Sequence, residues 1–552
     1  MNSGNYTERL RNRTLFFATE LNRTQSKHFD SPQVLLESFS GGFPSYQNYR
    51  AIDVDFLPVP STIPEPYSLD DAILLALNGI LDYAASANLG PTRSSRFFYL
   101  WFFTITAGYH WISSSSSITG TKDTWNWDTK FVQTDEQKQF VWMNHLLIDL
   151  MPTFVPGYNT GPLLANESKT LNLNSTQIDD LLSDIRTQSQ WSLWKSNWDT
   201  WWAYRQNDGN TTASVIPDGA LPNGSQTIEV TTTTDDPATF PDPAKWTPLK
   251  INGSQKNYLT YGWNDVLSCC LSTEQETSIK DTAQGHFPGT ASTWDDGSAK
   301  ANELSSFIQL TNNLTDEQKV IAEFWAGGPF TVSPPGMMIW IWANYMEALR
   351  VAHTRGILVF LYSGFDLAIH LFETGRLVWG LKKHNMEARP IQYIRNLYRT
   401  QSLTKYDGTS ILGESWVPFQ ASNFVTPPFP DFPSGHSAFS QSFANVMNSW
   451  FTSSIQTVQF TLKTLPLLSP TFVGWQTLPF GSFQIGKGTS EVQPNLVPAS
   501  TITLSWPTWQ TMADSSGISR QYGGIHCESA HTGSQALANA LHSILVSYWQ
   551  LS

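Results

Sequence analysis

Three segments of the chain carry residue types that can hold a tetrahedral oxyanion and act on it. They are Lys382-x6-Arg389-Pro390, Pro433-Ser434-Gly435-His436 and Ser519-Arg520-x5-His526, the last with Gly523 and Gly524 between its key residues. Such an anion spreads its charge over several oxygens. Two guanidiniums can each grip it in a bidentate way, and an ammonium adds a point charge. A Ser-Gly pair opening a helix adds a hydroxyl and backbone N–H groups, a ready seat for an anion. Two histidines complete the set with separate jobs. One can bind the central atom on its axis, as a nucleophile toward phosphorus or as a ligand to a metal. The other can give or take a proton at the opposite apical oxygen.

Elements must bring these residues together. The i, i+7 spacing of Lys382 and Arg389 predicts two cations on one helical face, two turns apart. Arg389-Pro390 marks a helix end or kink, because the residue before a proline is pushed out of helical geometry. Ser434 and Gly435 punctuate the entry to a helix over 437–453. Gly523 and Gly524 interrupt regular helix and permit close backbone approach to a ligand. Apolar periodicity predicts further helices from Ser68 to the break at Pro91, then over 93–112, 134–151 (ended by Pro152), 175–202, 315–325, 337–354, 357–383 and 529–551. Short strands are expected at 458–462 and 500–506, and an extended piece at 51–59. The stretch 205–255, dominated by Asn, Asp, Gly, Thr and Pro, reads as a lobe boundary. No period of 20–50 residues repeats. The chain is therefore mainly α with a small β component.

Composition narrows the function. With 552 residues, 40% hydrophobic and only 14% charged, the chain can bury a large core, rich in its 23 Trp and 32 Phe. A net charge of −13 argues against a nucleic-acid or anionic-membrane partner. Against that acidic background Arg376, Lys382, Lys383, Arg389, Arg395, Arg399 and Lys405 crowd one stretch, readable as a solvated face or as a local anion site. Three cysteines, Cys269, Cys270 and Cys527, form no C-x-x-C pair, so no zinc or redox motif follows. The most apolar window, 357–371, is interrupted by Asp366 and too short to span a bilayer. The first 24 residues lack the apolar run of a signal peptide. A soluble protein is expected, with the compartment undecided.

In this order and with these internal spacings, the three motifs resemble the signature shared by vanadium-dependent haloperoxidases and type 2 phosphatidic-acid-phosphatase-like enzymes. The resemblance implies two helical bundles, the second carrying the site. On that pattern 1–65 is a lead-in, 66–204 a first bundle, 205–312 a loop-rich connection and 313–552 the active bundle. It implies that Lys382, Arg389, Ser434, Gly435 and Arg520 hold vanadate, that His526 is the axial vanadium ligand, and that His436 is the acid–base residue. Hydrogen peroxide would replace vanadate oxygens and Lys382 would polarise it. Halide attack would then give hypohalous acid for small organic substrates, with vanadium a Lewis acid throughout. A homodimer is one assembly the resemblance allows. The alternative is a soluble acid phosphatase with His526 as nucleophile and His436 protonating the leaving group.

Trp379, three residues before Lys382, and Phe429, five before Ser434, resemble the aromatic pair lining the halide pocket of chloroperoxidase-like members. The segments around Gly90, Trp246, Leu259 and Glu323 also look like blocks of soluble haloperoxidases. One departure stands out. Many relatives have an acid after the Phe-Trp-Ala block, able to pair with the site arginine, whereas Gly327 and Gly328 follow here. Either another acid supports Arg520 or that arginine is less constrained.

Overall fold

The computed structural model describes residues 69–115, 135–326, 333–351, 357–451, 476–477 and 482–548, except 88, 172 and 188. The lead-in 1–65, the extended piece at 51–59, the strand at 458–462 and Gly327–Gly328 lie outside the described residues. Six helices make the first part: α1 (Leu69–Ser86), α2 (Gly90–Ser115), α3 (Asp135–Phe154), α4 (Gly161–Leu171), α5 (Ser175–Thr187) and α6 (Ser189–Gln206). Helix α3 runs through Pro152 instead of stopping before it. A proline there forfeits a single backbone bond close to the helix end. Phe154 beyond it packs edge-on against Phe97 and Trp202, and that burial keeps the last turn in place. The expected helix over 175–202 is two helices, α5 and α6.

The connecting region holds more structure than its composition suggests. Strands β1 (Ile228–Glu229), β2 (Leu249–Ile251) and β3 (Ser254–Gln255) form a small sheet, with β1 parallel and β3 antiparallel to β2. Helices α7 (Thr273–Gln284) and α8 (Ala299–Asn312) follow. Ser272 caps α7 through a reciprocal Ser272–Gln275 capping box, and Ser298 caps α8. Helix α7 buries only Ile279 and Ala283, too little for periodicity to show. Helix α8 buries Ala301, Leu304, Phe307 and Ile308 at helical spacing, a signal that sequence reasoning missed.

The second bundle comprises α9 (Asp316–Phe324), α10 (Pro334–Val351), α11 (Ile357–Asn385), α12 (Pro390–Leu397), α13 (Gly435–Trp450), α14 (Trp509–Tyr522) and α15 (Glu528–Tyr548). Helix α10 starts at Pro334-Pro335, ahead of the expected 337, since first-turn residues need no intrahelical N–H donor. A hairpin of β4 (Ser402–Thr404) and β5 (Ser410–Leu412) follows α12. Strands β6 (Gln476–Thr477), β7 (Ser482–Ile485) and β8 (Ile502–Ser505) form an antiparallel sheet, β8 falling within the strand expected at 500–506.

One continuous apolar core runs through both bundles, because α11 packs along α2 on one side and along α13 on the other. Gly364 marks the tightest part of the α2–α10–α11 junction. A Cβ there would stand 2.3 Å from Phe102 Cε1 and 2.7 Å from Trp342 Cη2. Trp342 cannot easily yield, because its Nε1 donates to Ser363 Oγ at 2.9 Å and its ring meets Phe102 edge-on. Gly364→Ala is therefore expected to destabilise the protein by about 1–3 kcal/mol despite alanine's better helix propensity. A lowered midpoint in thermal or urea unfolding checks this; an unchanged or raised midpoint would show that the rings can repack.

Candidate active site

Lys382 and Arg389 do not share a helical face. Helix α11 ends at Asn385, Met386 turns the chain with φ 45°, and Arg389 is the N-cap of α12 with Pro390 at its first position. The connecting region fixes this turn. Trp246 N–H donates to Met386 O, Ala388 N–H to Ala244 O, and Lys245 Nζ to Asn385 O. The two cations thus meet by a pinned reversal of the chain. Pro390 ends nothing here; its preset φ starts α12.

The fully buried Lys382 Nζ donates to Pro430 O at 2.7 Å and Asp431 O at 2.8 Å, leaving one of its three N–H groups over. Arg389 donates from Nε to Phe429 O at 2.7 Å and from Nη1 to Ile525 O at 2.8 Å, and Nη1 stands 3.1 Å from His526 Nε2. Its buried Nη2 has no hydrogen-bond partner among the described residues. Arg520, in the last turn of α14, donates to Ala322 O at 2.7 Å and Ser519 Oγ at 3.2 Å. No carboxylate pairs with it among the described residues. The Ala322 carbonyl and the Ser519 hydroxyl therefore hold Arg520.

Ser434 caps α13 as expected, its Oγ facing the Ser437 N–H at 3.4 Å, while Ser534 Oγ donates to Ser434 O at 2.7 Å. The amides of Gly435 and His436 lie in the first turn, where no intrahelical carbonyl can reach them. A Cβ on Gly435 would meet nothing nearer than Phe439 Cε2 at 3.8 Å, so the helix entrance is open on that side. His436 Nε2–H donates to Trp325 O at 2.8 Å, which leaves Nδ1 as the ring nitrogen able to take or return a proton. His526 follows the left-handed turn at Gly524 (φ 74°), and its Nδ1 is hydrogen-bonded to Asp431 Oδ1.

Electrostatics set the character of the cleft. Burial, then repulsion from Arg389, holds the Lys382 ammonium well below its usual range. Burial brings the Arg389 guanidinium down to about 10, against the pull of Asp431. Burial with Arg389 beside it brings Arg520 down to about 9. Both arginines stay charged at neutral pH, so the cleft carries a standing repulsion that a bound anion would relieve. Burial and then Arg520 hold the His436 imidazole well below its ordinary value, and burial and then Arg389 do the same to His526. Both histidines are thus neutral near pH 7, as an axial ligand and a proton acceptor must be.

Trp379 and Phe429 also come together, ring centroids 4.9 Å apart, with Lys382 Nζ and the Arg389 guanidinium each 5.0 Å from the Phe429 ring. The Leu259 block holds the pair: Trp379 Nε1 donates to Leu259 O, and Leu259 N–H to Pro428 O. The rest of the basic run is used elsewhere. Arg376 pairs with Glu373 and Glu276, Arg399 with Asp236 and Glu414, Lys405 with Asp407, and Arg395 binds carbonyls.

Residues 364–550, which contain every residue of the three motifs, match the family model for the second helical-bundle domain of VCPO. Residues 364–550 thus form a second helical-bundle domain of the VCPO type. The fold of the family extends beyond the matched segment. A bacterial vanadium-dependent iodoperoxidase is similar at TM-score 0.55 and 18% identity, over 88% of this chain and 97% of that one. A bacterial vanadium-dependent chloroperoxidase is similar in its apo form at TM-score 0.51 and 13% identity, over 88% and 96%. Its holo form gives TM-score 0.52 and 13%, over 84% and 94%. No curated protein sequence matches significantly.

Within the haloperoxidase frame the donors fit vanadate. The cleft offers three buried cations, an orphaned Arg389 Nη2, a helix entrance with open amides and an imidazole nitrogen. Sequence reasoning missed Asp431, although it lies inside the Phe429–His436 stretch. An acid three residues before Ser434, among Phe and Pro, was the available signal. The carbonyls of Ala322 and Trp325 had none, because any residue type supplies them.

Proposed function

We propose that this chain is a vanadate-dependent haloperoxidase that oxidises a halide with hydrogen peroxide to hypohalous acid or its equivalent. The buried, unpartnered Arg389 Nη2 among Lys382, Arg520 and two neutral histidines supports the reading, because buried donors of this charge suit an anion. Lys382, Arg389, Arg520, Ser434 and the Gly435 amide would hold vanadate, with His526 Nε2 as the nitrogen that would bind it. Bound vanadate supplies Lewis-acid activation of peroxide without a change of oxidation state. The free N–H of Lys382 can donate to a peroxide oxygen and draw charge from it. His436 Nδ1 can accept a peroxide proton and return it, and its Nε2–H bond to Trp325 O fixes the ring for that role. Trp379 and Phe429 would exclude water beside Lys382 and admit a halide.

Apo-protein assayed with bromide and hydrogen peroxide is expected to be inactive, to gain activity on addition of orthovanadate, and to lose it again in excess phosphate. Phosphatase activity that vanadate inhibits, with no bromide or iodide oxidation, would instead assign the chain to the acid-phosphatase branch.

A further inference from the structure

We propose that Asp431 is the positioning residue of His526: by accepting the Nδ1 proton it fixes the tautomer that turns a Nε2 lone pair toward the bound anion. The inference rests on the vanadate-site reading and adds to it a residue outside the three motifs. Asp431 is completely buried and is tied at three points. Its N–H donates to Glu387 O at 3.0 Å, its carbonyl accepts from Lys382 Nζ at 2.8 Å, and its Oδ1 meets His526 Nδ1. One residue thus touches both the ammonium expected to polarise peroxide and the imidazole expected to bind on the axis.

Geometry decides the tautomer. A carboxylate oxygen can only accept, so the proton sits on Nδ1 and Nε2 carries the lone pair. Arg389 Nη1 stands 3.1 Å from Nε2 and 3.4 Å from Nδ1, so the nearer nitrogen is the one left able to accept. A carboxylate behind a ligating imidazole also raises its basicity and holds the ring plane. No other described side chain offers an oxygen to Nδ1. Asp431 Oδ2 makes no hydrogen bond among the described residues, and while burial raises the pKa of the Asp431 carboxyl, the Cys527 backbone lowers it.

The test uses apo-protein of the full chain. In the wild type, ¹⁵N NMR of the histidine side chains should show His526 protonated at Nδ1, and titration calorimetry should show orthovanadate binding. Asp431→Asn, nearly isosteric, can rotate its amide to donate to Nδ1. It is expected to shift His526 toward the Nε2–H tautomer and to weaken vanadate binding by about 10–100-fold. Asp431→Glu should recover part of the affinity if the carboxylate is what matters. A wild-type His526 protonated at Nε2 overturns the proposal without any variant. Equal vanadate affinity in wild type and Asp431→Asn overturns it while leaving the vanadate site standing. No vanadate binding by the folded wild type overturns both.

Discussion

A His526→Ala variant is expected to lose vanadate-dependent halide oxidation by more than about 100-fold, because the loss of an axial ligand should exceed the 10–100-fold typical of a residue behind it. His526 is the one imidazole that the fold drives neutral by burial among Arg389, Lys382 and Arg520 while holding its other nitrogen on Asp431. Its removal leaves the cations able to attract an anion but without a bond along the axis. Residual vanadate binding should then resemble phosphate binding in strength. His436→Ala is the discriminating control. It should lower the rate by about 10²–10⁴-fold while leaving vanadate affinity within about tenfold, since acid–base help acts on the proton transfer. Calorimetry with orthovanadate alongside a bromide–peroxide rate assay separates the two effects. Comparable affinity losses in both variants would show that the histidines do not divide the work in this way.

Those histidines, with Lys382, Arg389, Ser434, Gly435 and Arg520, were legible from residue type and spacing because a tetrahedral anion demands a narrow set of donors. The way the chain assembles them was less legible. The spacing of Lys382 and Arg389 suggested a continuous helix, yet the reversal at Met386 depends on the backbone of 244–246, some 140 residues earlier. Nothing local encodes that bridge. Long apolar helices such as α2 and α11 could be read directly, since periodicity reports burial. A polar helix such as α7 could not, because it is held by its capping box and only Ile279 and Ala283 are buried. Of the two alternatives left open for Arg520, no acid pairs with it among the described residues, and Ala322 O accepts from it instead. Backbone acceptors are invisible to motif reasoning, and here they orient Arg520, Arg389, Lys382 and His436 alike.

Behind the site, Lys300 holds a buried acidic cluster whose disruption should be the costliest single change to stability. Its fully buried Nζ pairs with Glu387 at 2.7 Å and Glu303 at 2.9 Å and lies 5.2 Å from the Tyr393 ring centroid. Although burial opposes it, the surrounding acids hold the Lys300 ammonium well above its usual range. Burial, eased by Lys300, raises the Glu387 carboxyl from 4.5 to about 7. The folded state therefore keeps a proton on Glu387 that the unfolded chain has shed. This group contributes stability that is present below about 4.5 and is lost as pH rises through about 7. Lys300→Met leaves Glu387 buried without its counter-charge and is expected to destabilise the protein by roughly 3–5 kcal/mol. With the attraction gone the carboxyl titrates still higher, so the deficit should grow between about pH 6 and pH 8.5 as ionisation of an unpaired buried acid becomes costlier. Adding Glu387→Gln removes that titration and should recover much of the loss. Urea unfolding of the single and double variants at the two pH values tests this, and a deficit that is flat with pH and unaffected by the second substitution would place the cost in lost packing. The outcome also bears on the site, because Glu387 O accepts from Asp431 N–H and Glu303 Oε1 from Ser529 N–H at the start of α15. A loosened cluster should therefore weaken vanadate binding even in variants that remain folded.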